Sequence, residues 1–228
     1  MEKQKKAIIL SGGLDSTTLL YDLVNKHGSK NIIAFSFNYG SRHNKFELAK
    51  AKATCEKLGV EQKEFSLKEI FNNFKSALLA HEDSEEIPSG HYEDKNMFKT
   101  VVPFRNGILL SIAVGLAESL NIKEVYYGAH SGDHSIYPDC REDFLEAICR
   151  ASEKGTYIKV KIKAPYLKMN KISILKKGLK LGVDYSLTHT CYNPSKKGIS
   201  CGKCSSCTER LEAFNKNKEA DPLIYSYN

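Results

Sequence analysis

Two groups of residues in this 228-residue chain have the types and spacing to do chemistry. The first is Ser11-Gly12-Gly13-Leu14-Asp15-Ser16-Thr17, directly after the apolar run 6–10 that ends in Leu10. Gly12 and Gly13 can adopt conformations that turn several backbone N–H groups toward one point. Ser16 and Thr17 add hydroxyls, and a helix starting there adds the partial positive charge of its N-terminus. Such a loop suits a polyphosphate. It is not a Walker loop, because the four-residue spacer and the closing Gly-Lys-Ser/Thr are missing, and it lacks the third glycine of a dinucleotide fingerprint. Without that lysine it is better matched to holding the β- and γ-phosphates as a leaving group than to steering γ-phosphoryl transfer.

The second group is Cys191, Cys201, Cys204 and Cys207, spaced C-x₉-C-x₂-C-x₂-C. Two overlapping C-x₂-C hooks bring thiolates close together, and the Pro-, Ser- and Gly-containing spacer lets Cys191 return as the fourth corner of a tetrahedron. Four thiolates with no open position describe a structural site, and Zn²⁺ is the expected occupant. An iron–sulfur cluster takes the same four ligands and is the rival. A disulfide set is the weaker alternative where thiols are kept reduced. Cys55, Cys140 and Cys149 fall on or near expected helices and read as small packing residues.

Two further stretches are dense in polar groups: Val102-Pro103-Phe104-Arg105-Asn106, and the run 128–141, Gly-Ala-His-Ser-Gly-Asp-His-Ser-Ile-Tyr-Pro-Asp-Cys-Arg. Arg105 can fork onto a carboxylate or phosphate, Asn106 offers donor and acceptor, and Asp133 or Asp139 can accept from an amino-pyrimidinone edge. On spacing alone, Asp139 reads equally well as a helix cap and Arg105 as a surface charge.

These groups need a frame. Residues 6–10 read as a strand and 16–25 as the helix behind the loop, with Leu19, Leu20, Leu23 and Val24 at helical spacing. Residues 31–37 predict a second strand, 43–58 a helix ended by Gly59, and 61–65 a weak third strand. A short helix is expected at 70–79 and an acidic, aperiodic loop at 81–96. The apolar stretch 106–120 predicts a buried helix, 124–128 a strand, 141–151 a helix, 157–162 a strand and 171–181 a helix. An irregular tail follows Gly182, with a short helix near 207–215.

Strands alternating with helices imply right-handed crossovers and therefore an α/β fold. The expected architecture is a Rossmann-like parallel sheet covered on both faces, with a C-terminal zinc-binding knuckle. Ligands are expected at the carboxyl ends of the strands, where both polar stretches fall. The organisation expected is a nucleotide-binding body over 1–185 and a four-cysteine region over 186–228 packed on it.

The Ser-Gly-Gly-x-Asp-Ser string after the first strand resembles the signature of the PP-loop ATP pyrophosphatases, whose fold is adenine nucleotide alpha hydrolase-like. Taken with Val102 to Asn106, Tyr137-Pro138-Asp139-Cys140-Arg141 and the run from Cys191 to Arg210, the chain is similar over residues 5–214 to the 7-cyano-7-deazaguanine synthase family of queuosine biosynthesis. That resemblance implies an ATP-dependent ligase. It would convert 7-carboxy-7-deazaguanine and ammonia to the nitrile through adenylated intermediates, releasing AMP and pyrophosphate.

The resemblance further implies ATP contacts from Leu10, Ser11, Gly12, Gly13, Leu14, Asp15, Ser16 and Thr17, and catalytic roles for Asp15, Ser16 and Arg105. It implies substrate contacts from Arg105, Asn106, Asp133, Tyr137, Asp139 and Arg141. It places Asp15 in the metal and phosphate environment, which agrees with the preference of Mg²⁺ for hard carboxylate and phosphate oxygens. No glutaminase signature is visible, so free ammonia is the expected nitrogen source. The loop 81–96 is expected to close over the site, and a homodimer is the expected assembly.

Composition agrees with a globular protein, at 41% hydrophobic and 27% charged residues. The opening residues are too short in apolar length for a secretory signal, and no stretch approaches the roughly 18 apolar residues of a spanning helix. A cytoplasmic protein without a membrane partner is expected. The net charge is +7 (34 − 27), but residues 150–218 hold 16 Lys or Arg against 4 Asp or Glu, which is +12 and leaves −5 (18 − 23) elsewhere. Four thiolates and one Zn²⁺ would lower +12 by about two.

A basic third suits an anionic partner and keeps open a rival, a PP-loop tRNA-modifying enzyme that adenylates a base and inserts sulfur. Against that rival, one tetrahedral site takes all four clustered cysteines and leaves no thiol there for a persulfide. Anionic small substrates are therefore expected, with no stable nucleic acid partner. A nucleotide-binding module without catalysis is the third reading.

Overall fold

The computed structural model describes residues 4–80, 86–90 and 95–226. Its strands are β1 (Lys6–Ile9), β2 (Ile32–Asn38), β3 (Glu61–Ser66), β4 (Glu124–Tyr126) and β5 (Lys161–Lys163). They pair in parallel in the order β3-β2-β1-β4-β5, with Ala7 opposite both Ile33 and Val125. The helices are α1 (Leu14–His27), α2 (Asn44–Leu58), α3 (Lys68–Phe71), α4 (Arg105–Ser119), α5 (Glu142–Gly155), α6 (Lys171–Lys180) and α7 (Ser205–Lys216).

The period of two along β2 divides the core. Ile33, Phe35 and Phe37 point to one face and pack with Leu110, Ala113 and Ala117 of α4. Ile32 and Ala34 point to the other and pack with Leu19 and Leu20 of α1, Leu175 of α6 and Phe214 of α7. Both faces are thus covered, as a parallel sheet requires. The chain leaves β1 toward β2 and β3 on one side and returns for β4 and β5 on the other. A crevice opens where the carboxyl ends of β1 and β4 part.

The tail belongs to the same core. Cys191, Cys201, Cys204 and Cys207 are buried in the cluster that holds Phe35, while Phe214 lies in the cluster that holds Ile32. In the stretch expected to be an acidic loop, 81–85 and 91–94 lie outside the described residues. Between them Ser89 bridges to Cys204, and the Gly90 N–H donates to the Lys203 carbonyl (3.2 Å).

Two expectations need correction. The helix expected at 70–79 is only the single turn of α3. Ala77, Leu78 and Leu79 are consecutive and all buried, so they cannot share one helical face. Their backbone instead closes against 40–42, through Arg42 N–H to Leu78 O (3.0 Å) and a Ser41–Leu79 bridge. The strand expected at 157–162 runs Lys161–Lys163, because Tyr157 is fully exposed and Lys159 turns with φ +55°. Asn96–Ser119, with mean hydropathy 1.5 in its most apolar 18-residue window, passes a test of length and composition for crossing a membrane that buried core helices also pass. The chain breaks direction inside it at Phe104 (φ +52°), and from Arg105 onward α4 buries Leu110, Ala113 and Ala117 against the sheet.

Candidate active site

The loop after β1 is fixed from several sides. Leu10 N–H donates to Phe35 O (2.9 Å), carrying the strand pairing one residue further. Gly12 has φ +91°, and a Cβ there would meet the Glu47 carbonyl oxygen at 2.1 Å, so only glycine lets the loop pass so close to α2. Its carbonyl accepts from His189 N–H (2.9 Å), which ties the tail to the loop. Gly128 beyond β4 also comes close to the loop, since a Cβ there would lie 3.2 Å from Ser16 N. The Ser11 and Ser16 hydroxyls are 3.0 Å apart. Gly13 starts α1 without a side-chain cap, so the N–H groups of the first turn have no intrahelical acceptor and sit at the positive end of the helix.

A cavity of about 190 Å³ opens over this loop. At its phosphate-loop end, Lys171 projects from the first turn of α6, buried, with Nζ 3.3 Å from Asp15 Oδ2 and 2.9 Å from Glu209 Oε2. Burial pulls the Lys171 pKa down, but Asp15, Glu209 and Asp133 together raise it well above the usual lysine value, so it is a permanent cation. His130, 1% exposed, places Nε2 3.7 Å from Asp15 and 3.6 Å from Asp133. Asp15 Oδ1 is buried with no hydrogen-bond partner, which is the condition a cation beside the phosphates would satisfy.

The wall also holds Tyr39, His43, Glu47, Arg105 and Tyr192. Arg105 donates from Nη1 to the Tyr39 hydroxyl (3.3 Å), and its guanidinium carbon lies 5.5 Å from that ring's centre. Asp139 holds the start of α4, accepting from the Asn106 N–H (2.7 Å) and Nδ2 (3.3 Å), so its charge lies where the helix dipole favours it. Phe104 bears the positive φ at this helix start, and its ring packs edge-on against Phe144 at 5.8 Å.

Glu47 is 9% exposed, and burial pushes its carboxyl up to about 8 against the pull of Arg105. His43 is pushed down to about 3 by burial, then by His189 and Arg105, so it is neutral. Its Nε2 lies 3.6 Å from Glu47 Oε2.

The four sulfur atoms of Cys191, Cys201, Cys204 and Cys207 lie within 4.8 Å of one another, all buried. Four thiolates around one Zn²⁺ at about 2.3 Å stand about 3.8 Å apart, so the set fits a single tetrahedral ion. Two backbone N–H groups already point at sulfur, Cys201 to Cys191 (3.2 Å) and Cys204 to Cys201 (3.4 Å). The knuckle is also part of the cavity wall, to which it contributes Thr190, Tyr192 and Ser206.

Of the residues that the sequence marks out, Ser11, Gly13, Asp15, Ser16, Arg105, Asn106, Asp133 and Tyr137 line the cavity. Leu10, Gly12, Leu14 and Thr17 are buried in the packing around the loop, and Asp139 lies off the wall, holding Asn106. Arg141 is exposed, off the wall, and donates to the His134 carbonyl (3.0 Å). Lys171, His43 and Glu47 line the cavity without any local mark. Lys171 is one of several lysines in a basic helix, and its only clue is the cap residue Asn170, which accepts from Ser173 N–H (2.9 Å) and starts a helix after a strand. Glu47 and His43 read as the solvated side of α2.

The family model described as queuosine biosynthesis protein QueC matches residues 5–218. The chain is 52% identical over 217 residues to the 7-cyano-7-deazaguanine synthase of Hahella chejuensis, covering 95% of this chain and 91% of that one. It is 50% identical over 222 residues to the protein of the same name from Pseudoalteromonas atlantica, covering 97% and 99%. Among solved structures, one described as a predicted subunit of tRNA methyltransferase from Methanocaldococcus jannaschii superposes with a TM-score of 0.50 at 14% identity. It covers 98% of this chain and 93% of that chain, a likeness of fold alone.

Proposed function

The chain belongs to the queuosine biosynthesis protein QueC family, and on that premise we propose that it converts 7-carboxy-7-deazaguanine and ammonia to 7-cyano-7-deazaguanine, using ATP and releasing AMP and pyrophosphate. The observation that carries this reading is the meeting of Asp15 and Lys171 at the phosphate loop, in one cavity with Arg105. The substrate carboxylate is inert to ammonia because it is negatively charged and would have to expel oxide. Activation at the α-phosphorus removes both obstacles.

Arg105 orients that carboxylate for in-line attack, while the first-turn N–H groups of α1 and the Lys171 ammonium stabilise the departing pyrophosphate. Ammonia then displaces AMP to give the amide, and a second activation at the amide oxygen permits elimination to the nitrile. Asp15, with its unpartnered Oδ1, would hold Mg²⁺, which when bound neutralises charge on the leaving group. The four cysteines would hold Zn²⁺ as a closed structural set.

Sulfur insertion is disfavoured by the cavity's own thiol. Cys140 is the cysteine on its wall among the described residues, and burial, with Asp133 and Asp139, raises its pKa so that it stays a thiol. The reading includes free ammonia as nitrogen source, a cytoplasmic enzyme, and a homodimer. Exposed Phe98 and Phe104 offer the dimer an apolar contact, and light scattering on the eluting protein measures its mass.

Mass spectrometry after mixing protein, ATP, Mg²⁺, ammonia and 7-carboxy-7-deazaguanine tests the activity. The nitrile, AMP and pyrophosphate are expected. ADP and phosphate in place of AMP, or no new purine at all, would overturn it.

A further inference from the structure

Taking a carboxylate to a nitrile requires removing protons from nitrogen. When ammonia attacks the acyl-adenylate and the C–O bond to AMP breaks, the nitrogen must lose one proton to become the amide. After the amide oxygen has displaced pyrophosphate from a second ATP, the nitrogen loses two more protons as the carbon–oxygen electron pair leaves with AMP. We propose that the Glu47 carboxylate is the acceptor of these protons. This role rests on the activity proposed above.

The geometry singles out Glu47. Its carboxyl is on the cavity wall and nearly buried, yet among the described residues nothing donates a hydrogen bond to it. Its backbone lies against Gly12, so the side chain enters the same cavity as the phosphate loop. Of the other acids nearby, Asp15 and Glu209 are engaged by Lys171 and Asp139 by Asn106, while Asp133 stands as far from His130 Nε2 as Glu47 does from His43 Nε2 (3.6 Å) but has the more exposed side chain (20% against 11%).

The groups around Glu47 are His43 at the start of its own helix, Tyr39 after β2, Arg105 on α4 and Tyr192 in the tail, with Asp15 and Lys171 on the same wall. Burial pushes the Glu47 carboxyl up to about 8 against the pull of Arg105, and the neutral His43 adds no charge beside it. A base that accepts and releases protons near neutrality works best at such a value.

Glu47→Gln keeps the shape and removes the proton acceptor. Two partial reactions separate its role from a structural one. Exchange of labelled pyrophosphate into ATP in the presence of 7-carboxy-7-deazaguanine reports adenylation alone, and amide plus nitrile formation reports the steps that move protons. The variant should keep exchange within about threefold while product formation falls on the order of 100-fold or more. The wild-type rise of kcat with pH through about 8 should vanish with it. Glu47→Asp should retain that rise at a lower rate, and it carries the same comparison if the Gln variant does not melt cooperatively.

Product formation by Glu47→Gln within threefold of wild type, or exchange lost as deeply as product, overturns the role. Wild-type protein that shows no exchange overturns the activity itself, and the role with it.

Discussion

Replacing Arg210 with Met should cost the protein a large part of its stability and reach the active site from a distance. Arg210 is 1% exposed and its guanidinium makes five hydrogen bonds: Nε and Nη2 to Asp221 (2.7 and 2.9 Å), Nη1 to the Thr188 and Thr190 hydroxyls (2.7 and 3.0 Å), and Nη2 to the Tyr185 carbonyl (3.2 Å). Breaking a buried ion pair from one side costs about 3–5 kcal/mol, because the other charge stays buried. Asp221 would still receive the Leu223 N–H (3.1 Å) and the Tyr225 hydroxyl (2.6 Å), which places the loss near the lower end of that range.

At about 2–4 °C per kcal/mol for a chain of this length, a loss of about 3 kcal/mol lowers Tm by about 6–12 °C. Thr188 and Thr190 flank His189, whose N–H holds Gly12, so pyrophosphate release should fall as well. Urea unfolding of Arg210→Met, Asp221→Leu and the double variant measures the effect. The double variant should be clearly more stable than the sum of the single losses predicts, since it leaves no unpaired charge. A single loss under about 1 kcal/mol, or strict additivity, would refute the reasoning.

Asp15→Asn should lower pyrophosphate release on the order of 100-fold with little change in Tm, and a rate within tenfold of wild type would remove Asp15 from the machinery. Cys204→Ser should lose bound metal, by elemental analysis, and thermal stability together; unaltered melting would show that the metal is not structural. Stability should pass through a broad maximum centred near pH 5.5, about midway between the two unfolded-state values, and decline above about pH 6.5. Glu47 stays protonated to about 8 when folded but ionises from 4.5 when unfolded, so it withdraws stability as pH rises, while His43 stays neutral to about 3 against 6.5 and withdraws it as pH falls. Glu47→Gln should therefore abolish the decline between pH 6.5 and 8, a difference of up to about 2 kcal/mol by urea unfolding at several pH values.

What the sequence makes legible is what neighbouring residues decide. The strand, loop and helix around Gly12 and Gly13 follow from an apolar run, two glycines and a helical repeat, all within twenty residues, and the structure has them there. The apolar run at Ala77 to Leu79 fails as a helix because its backbone pairs with Gly40, Ser41 and Arg42, far back in the chain. Asp139 illustrates the same limit within the site. It is a helix cap, but for α4, whose Asn106 lies 33 residues earlier, rather than for the helix that follows it. Lys171 and Glu47 have ordinary neighbours in sequence. Their character comes from Asp15 and Glu209 in one case, and from burial beside Gly12 and Arg105 in the other.

The phosphate loop touches α2 through Gly12, the end of β4 through Gly128 and the tail through His189, so its donors are held in place before any phosphate arrives. Donors that need no rearrangement stabilise developing charge at no cost at the moment of reaction. The tail contact depends in turn on the cysteine knuckle, because the His189 ring lies 3.0 Å from the Cys191 carbonyl and Thr190 is held by Arg210. A metal that never meets the substrate would therefore still set the position of Thr190, Tyr192 and Ser206 on the cavity wall. Its loss should loosen the loop at Gly12 along with the knuckle, which makes the four cysteines part of the enzyme's preorganisation rather than an appendage to it.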